Sequence, residues 1–181
     1  MDQDPSIETA RRLNCQLHAV LVRVFDTGVV IIGDSGIGKS ECALDLVTRG
    51  HCLVADDAVE IYNDGDKITG AAPKLTRHLL EIRGLGVIDV ERIFGAASVC
   101  DESTVDLCVE LRKLTGVERL ENVVSEYSIG GGRIAKFMLP VSSGRNLATL
   151  VETAVRLYRN GEMGSTAKRL IDDHTKLMNP A

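Results

Sequence analysis

The chain has 181 residues, of which 44% are hydrophobic, and its formal net charge is -5. This length allows one α/β domain with a sizeable core, and the acidic balance argues against a nucleic-acid partner, because a phosphate backbone is bound by clustered Lys and Arg. No apolar run approaches the roughly 20 residues that span a bilayer, and the polar N-terminus does not have the pattern of a signal peptide, so we expect a cytoplasmic protein with no membrane partner.

The cysteines predict free thiols rather than disulfides or a zinc site. They are odd in number, scattered, and form no C-x-x-C pair. Such usage is typical of proteins in a reducing compartment. The five residues are Cys15, Cys42, Cys52, Cys100 and Cys108.

The first predicted elements surround one glycine-rich loop. We expect a strand over 17–25 and a buried strand over 29–32 that leads into the loop. Residues 40–49 have apolar side chains at helical spacing, and Gly50 suits the position just after a helix. A short apolar strand follows at 52–55.

The next predicted elements form hairpins rather than βαβ units. Strands over 58–62 and 67–70 flank an Asn-Asp-Gly-Asp stretch, which is typical of a hairpin turn. Further strands are predicted over 104–111 and 133–141. This pattern predicts an α/β fold with a mixed sheet rather than a doubly wound parallel sheet.

Two helices are predicted near the C-terminus. Asn146 is suited to cap a helix whose apolar residues share one face and which ends near Gly161. Ser165 or Thr166 is suited to cap a last helix that runs to about Leu177.

The glycine-rich loop has the complete G-x-x-x-x-G-K-S pattern of a phosphate-binding loop between a strand and a helix. Glycines let the backbone wrap an oxyanion closely, and the first helical turn points free N–H groups at it. Lys39 can reach the outer phosphates and the Ser40 hydroxyl can bind Mg²⁺. We therefore predict binding of a nucleoside triphosphate or a similar phosphate ester, rather than an ordinary glycine turn. The loop residues are Gly33, Asp34, Ser35, Gly36, Ile37, Gly38, Lys39 and Ser40.

Asp56 and Asp57 follow an apolar strand, where many phosphate-loop enzymes place an Mg²⁺-binding aspartate. Adjacent strand residues point to opposite faces, so we expect different tasks for the two. One would hold the metal through water and the other would meet the nucleophile. A pair of solvated turn carboxylates is the alternative.

Three further positions are ambiguous from the residues alone. The segment 81–86 predicts one short loop, in which Glu81 could ligate Mg²⁺ and Arg83 could neutralise phosphoryl charge, but a surface ion pair fits equally well. His18 lies in a predicted strand on the face of three valines, which favours a core histidine. Arg145 precedes a predicted helix start, where anions gather, and the functional and structural interpretations stay open.

Four segments together resemble the HPr kinase/phosphorylase family, the bacterial proteins that phosphorylate a serine of the phosphocarrier HPr. The similarity extends from about residue 17 through the last helix, and the third segment is the most specific. On this resemblance we divide the chain into an extension at 1–16, a catalytic domain at 17–162 and a C-terminal helix at 163–181. The segments are GDSGIGKSE, RGHCLVADD, HLLEIRGLGVIDV and PVSSGRNLATLVE.

The resemblance implies a phosphate-loop fold related to phosphoenolpyruvate carboxykinase. It implies phosphorylation of HPr with ATP and Mg²⁺, or with pyrophosphate as donor, in regulation of the phosphotransferase system and of carbon catabolite repression. It also implies the reverse reaction, in which inorganic phosphate attacks phosphoserine to give pyrophosphate. Family members form homo-hexamers, so the same assembly is expected here.

The resemblance also implies roles for individual residues. The positions that match the family's active site are His18, Lys39, Arg83, Arg145 and one aspartate of the pair Asp56 and Asp57. Ser40 and Glu81 match its Mg²⁺ ligands. Asp57 aligns with the proton-shuttling aspartate of the family, and Asp56 is retained as the alternative candidate for that role.

Some features depart from the family pattern. Only about sixteen residues precede the match where the family carries an N-terminal domain, and Ser142-Ser143 replaces the usual Arg-Pro. The tail after Met163 also differs where the phosphorylase function is centred, so the kinase is the stronger expectation. A non-catalytic nucleotide-sensing module and a small-molecule kinase on the same scaffold are the alternatives.

Overall fold

The computed structural model describes residues 12–113, 124–142 and 144–163, and the predicted last helix lies outside them. The described elements form a layer of helices, a six-stranded mixed sheet and a four-stranded antiparallel sheet. In chain order the elements are β1 (Leu13–Leu17), β2 (Val20–Val24), β3 (Thr27–Gly33), α1 (Lys39–Thr48), β4 (Cys52–Ala55), β5 (Val59–Asn63), β6 (Ile68–Ala71), β7 (Leu79–Ile82), β8 (Gly86–Asp89), α2 (Val90–Phe94), β9 (Glu102–Thr104), β10 (Leu107–Lys113), β11 (Val124–Ile129), β12 (Gly132–Val141) and α3 (Leu147–Arg159).

The central sheet has the strand order β11-β12-β10-β3-β2-β4. β10 is parallel to β3 and to β12, whereas β2 is antiparallel to β3 and to β4, so the predicted mixed sheet is confirmed. A second sheet, β1-β5-β6-β9, is antiparallel throughout, and β7 and β8 form a separate hairpin.

Both faces of the central sheet are buried, which explains its near-continuous apolar strands. Val20 and Val22 face a core shared with α1 and α3, while Leu21 and Val30 face the core beneath the four-stranded sheet. The helix layer rests on this sheet through the apolar faces that the sequence predicted. Within the part of the chain that the structure describes, no helix is long and apolar enough to cross a membrane.

The directions of the strands determine which segments lie together at one edge of the central sheet. Because β2 is antiparallel to both β3 and β4, the carboxyl ends of β3 and β4 lie at the same edge as the amino end of β2. The loop at 33–40 follows β3, Asp56 and Asp57 follow β4, and His18 precedes β2. This topology therefore brings three chemistry-bearing segments together.

Three predicted segments were wrong in their boundaries. The strand over 17–25 is β1 and β2 with a bend at His18 and Ala19, because the chain changes sheets there. The strand over 104–111 is β9 and β10, and the break is held by Asp106, whose carboxylate accepts the Gly28 N–H at 2.8 Å. The segment 81–86 is the β7–β8 hairpin rather than a loop.

The other predicted elements that lie within the described residues are confirmed. The helix after the loop ends as expected, with Gly50 at φ 91°, and the hairpin of β5 and β6 lies where the turn chemistry placed it. The Asn146 side chain accepts the Thr149 N–H at 2.9 Å and so caps α3. The cysteines are free thiols, and only Cys42 and Cys108 are fully buried.

Candidate active site

The glycine-rich loop connects β3 to α1, as predicted. The Lys39 ammonium folds back over it and donates to the main-chain oxygens of Gly33 at 3.0 Å and Asp34 at 3.3 Å. Ile37 is buried in the helix-side core and anchors the loop from below. Lys39 itself is only 7% exposed, so its charge is directed into the loop rather than into solvent.

Asp56 ties the loop to two other segments. Its Oδ1 accepts the Ser40 hydroxyl at 2.9 Å, and its Oδ2 accepts the Glu81 main-chain N–H at 3.0 Å. Burial raises the pKa of the Asp56 carboxyl above its ordinary value, and these two hydrogen bonds offset that effect only in part. Both oxygens are therefore engaged in holding the site together.

Asp57 has a different environment although it is the next residue. Its φ is 65°, in the left-handed region, and this conformation turns its carboxylate towards the same cavity. The side chain is 72% exposed, and its Oδ1 lies 2.8 Å from His18 Nδ1. The two residues thus differ in environment, but strand alternation is not the reason, because both residues lie beyond the end of β4.

His18 joins Asp57 to the loop lysine. Its Nε2 lies 3.4 Å from Lys39 Nζ. An ammonium can only donate, so in this arrangement Nε2 accepts and Nδ1 carries the proton that faces Asp57. The side chain is 57% exposed, so the prediction of a core histidine was wrong. The valine pattern is real, but the bend before β2 takes His18 out of register with it.

Glu81 and Arg83 approach from the β7–β8 hairpin. Glu81 lies on the exposed face of β7, and Arg83 lies in the turn that follows. The place of a β-carbon on Gly36 is 2.7 Å from Arg83 Nη2, so the guanidinium passes close over the loop. The two residues therefore belong to the site and are not an isolated surface pair.

One cavity of about 220 Å³ collects most of the predicted residues. Glu41 also lines it and was missed, because the sequence presented it only as a first-turn helix residue. Its position directly after the Gly-Lys-Ser signature is the one signal that could have found it. The cavity is lined by His18, Ser35, Gly36, Gly38, Lys39, Ser40, Glu41, Asp56, Asp57, Glu81 and Arg83.

Arg145 does not line this cavity, and neither do three of the predicted loop residues, Gly33, Asp34 and Ile37. The Arg145 side chain is exposed, just ahead of α3. The start of α3 is nevertheless close to the loop, since Leu147 Cδ1 lies 3.8 Å from the place of a β-carbon on Gly38.

The oxygen donors of the cavity suit Mg²⁺. Ser40, Asp56 and Glu81 all line the cavity, where the Asp56 carboxylate accepts the Ser40 hydroxyl and the Glu81 main-chain N–H. Mg²⁺ prefers such hard ligands and usually binds through one or two carboxylates, water and substrate phosphates. The donor set therefore fits a metal that arrives with a phosphate ester.

Comparison with known proteins identifies the family of the chain. A family model described as the HPr Serine kinase C-terminal domain matches residues 11–175. The chain belongs to this family. The predicted resemblance is confirmed over nearly the whole length of the sequence.

Curated relatives extend the family match. The chain is 45% identical over 164 residues to the HPr kinase/phosphorylase of Levilactobacillus brevis, with 88% of this chain and 53% of the relative covered. It is 44% identical over 171 residues to that of Streptococcus thermophilus, with 89% and 55% covered. The chain thus spans about half the length of the curated relatives it matches.

A solved structure matches the fold. The Hpr(Ser) kinase/phosphatase from Coxiella burnetii superposes with a TM-score of 0.75 at 32% identity, and the match covers 87% of this chain and 98% of that chain. The arrangement of sheets and helices is therefore that of an HPr kinase.

Proposed function

We propose that this chain is the catalytic core of an Mg²⁺- and ATP-dependent protein-serine kinase that phosphorylates HPr. The observation that carries the proposal is that two series of hydrogen-bonded residues meet at the phosphate-binding loop. One series consists of Lys39, His18 and Asp57. The other consists of Ser40, Asp56 and the Glu81 main chain. We also propose the phosphate-loop fold related to phosphoenolpyruvate carboxykinase and a cytoplasmic homo-hexamer, on the family resemblance.

The loop side of the cavity would hold the nucleotide. The loop amides and Lys39 would bind the outer phosphates, since the start of α1 presents free N–H groups there. Ser40, Asp56 and Glu81 would hold Mg²⁺, which neutralises charge on the phosphates when bound. Pyrophosphate presents the same phosphate chemistry to this loop, which supports it as an alternative donor.

Asp57 would be the general base. Asp56 is 5% exposed and both of its oxygens already accept hydrogen bonds, whereas Asp57 is open to an approaching acceptor. Asp57 would take the serine proton as the serine oxygen bonds to the transferring phosphorus and the bond to the leaving phosphate breaks. The His18 Nδ1–H would hold the Asp57 carboxylate in place.

The same residues would serve the reverse reaction. Inorganic phosphate would attack the phosphorus of phosphoserine, and protonated Asp57 would return its proton to the departing serine oxygen, which leaves pyrophosphate. Arg83 lies over Gly36 and would neutralise charge on the transferring group. Arg145 would add a second positive charge from the α3 side of the loop.

The test is transfer of phosphate to a protein. The chain is incubated with Mg²⁺, ATP and HPr, and phosphoserine is sought by mass spectrometry, with a panel of small metabolites assayed in parallel. We expect phosphoserine on HPr and no phosphorylated metabolite. Bound nucleotide without any transfer would contradict the proposal and favour a nucleotide-sensing module, and transfer to a metabolite alone would favour a small-molecule kinase.

A further inference from the structure

Arg49 links the end of the loop helix to the start of α3. It lies directly after α1, and its guanidinium makes three hydrogen bonds to α3 or its cap. Nη1 donates to Thr149 Oγ1 at 3.0 Å and to Glu152 Oε2 at 2.8 Å. Nη2 donates to Asn146 Oδ1 at 2.9 Å. The planar fork of arginine fits such a spread of acceptors, which the point charge of lysine does not.

Asn146 is held from two sides by these contacts. Its Oδ1 accepts the Thr149 N–H at 2.9 Å as the helix cap and accepts the Arg49 guanidinium as well. A carbonyl oxygen has two lone pairs, so both are used. Any rotation of the Asn146 side chain would break both bonds, and Arg49 therefore fixes the conformation of the cap residue.

Glu152 extends the same contact into the core. Its second carboxylate oxygen lies 3.0 Å from Nε2 of His51, a buried residue two positions after Arg49. The carboxylate thus bridges two residues that follow α1, so the orientation of α3 relative to α1 is set by side chains at its first two turns.

Arg145 depends on this arrangement because it has little support of its own. Among the described residues its side chain makes no hydrogen bond or ion pair, and only its N–H is held, by Ser142 O at 3.3 Å. Gly144, at φ 81°, completes that turn. The main chain of Arg145 is therefore placed by a short turn on one side and by the fixed Asn146 cap on the other.

We propose that Arg49 is a positioning residue for phosphoryl transfer. By holding Asn146 and Thr149 against the end of α1, it fixes the backbone that carries Arg145 just ahead of α3. The inference rests on the proposed function, in which Arg145 neutralises charge on the transferring group. Arg49 does not line the described cavity, so we expect its removal to affect the rate through the position of Arg145.

The test is a double-mutant cycle. Arg49→Lys, Arg145→Ala and the double variant are assayed for phosphate transfer to HPr, and nucleotide dissociation constants and unfolding transitions are measured alongside. We expect Arg49→Lys to lower kcat about tenfold, since small misplacements of a catalytic group are costly, with an unchanged nucleotide dissociation constant. In the Arg145→Ala background, we expect Arg49→Lys to lower kcat by less than about twofold. Arg159→Lys, an α3 substitution whose side chain contacts Phe25 instead, is the control and should keep the wild-type rate.

If Arg49→Lys does not fold, a second pair of variants tests the same proposal. Asn146→Ala removes the acceptor of both the cap and Arg49, while Asn146→Asp keeps both. We expect the alanine variant to lose rate and the aspartate variant to recover it.

The outcomes separate the two proposals. Equal losses from Arg49→Lys with and without Arg145, or a rate lost in Arg145→Ala but kept in Arg49→Lys, would overturn the positioning role alone. The absence of transfer by the wild-type chain with bound nucleotide would overturn the proposed function, and the positioning role with it.

Discussion

Two adjacent aspartates of this cavity lie in different environments. Asp56 is buried and its carboxylate bridges the loop and β7, whereas Asp57 is exposed and faces His18. The left-handed conformation of Asp57 puts both carboxylates in one cavity with different partners. The proposed assignment therefore gives the metal-side role to Asp56 and the proton-transfer role to Asp57.

The Asp56 assignment predicts a change in metal dependence. Asparagine has no charge to attract Mg²⁺, so Asp56→Asn should raise the Mg²⁺ concentration needed for half-maximal transfer at least about tenfold. The measurement is the transfer rate against Mg²⁺ concentration at fixed ATP. Asp57→Asn is the matched control, and a Mg²⁺ dependence shifted equally in both variants would argue against the division.

Gly36 gives a second prediction at this scale. A β-carbon there would stand 2.7 Å from Arg83 Nη2 on a backbone at φ 73°, so Gly36→Ala should displace Arg83 and lower transfer at least about tenfold. Gly65→Ala is the control, because Gly65 has φ 96° but nothing within 4 Å. Both substitutions should cost about 1–2 kcal/mol of stability from the positive φ. Similar losses of transfer in both would mean that backbone strain alone is responsible.

At the scale of elements, the sequence predicted the features that depend on neighbouring residues. It missed the feature that depends on the chain passing from one sheet to the other. The loop at 33–40, the α3 cap at Asn146 and the hairpin of β5 and β6 follow from short-range chemistry, and all three were found. The bend at His18 was missed, because nothing in the alternating valines signals that β1 and β2 belong to different sheets. The passage of Arg83 over Gly36 is a tertiary contact with no local signature.

The contact between α1 and α3 predicts a pH dependence. Burial would raise the pKa of the Glu152 carboxyl, but hydrogen bonds from His51 and Arg49 outweigh it and hold the pKa below its ordinary value of 4.5. A carboxylate with a lowered pKa adds stability that is complete above the unfolded pKa and is lost as the pH falls through the folded one. The stabilisation should therefore be constant above about pH 5 and decline below about 4.5.

The comparison of wild type with Glu152→Gln isolates this effect. The measurement is the free energy of unfolding of both proteins from pH 7 to pH 3. The difference in the free energy of unfolding between wild type and Glu152→Gln should narrow only in the acidic range. A difference that narrows as the pH rises above 6 would contradict the assignment of the effect to the Glu152 carboxylate.

At the scale of the whole molecule, the described cavity is lined by segments that are far apart in the sequence. Its walls come from the bend before β2, the loop after β3, the end of β4 and the β7–β8 hairpin, although the chain spans about half the length of its curated relatives. If these residues carry the chemistry, the additional length of the relatives is not needed for the transfer step. The chain as it stands should therefore transfer phosphate.

The most direct test is the transfer rate of this chain and of Asp57→Asn, with Mg²⁺, ATP and HPr, and with the nucleotide dissociation constant measured on the same samples. We predict phosphoserine on HPr with the wild type, and a rate about 10²–10⁴-fold lower with Asp57→Asn, while both proteins bind nucleotide equally. A variant that binds nucleotide and transfers phosphate at the wild-type rate would contradict this prediction.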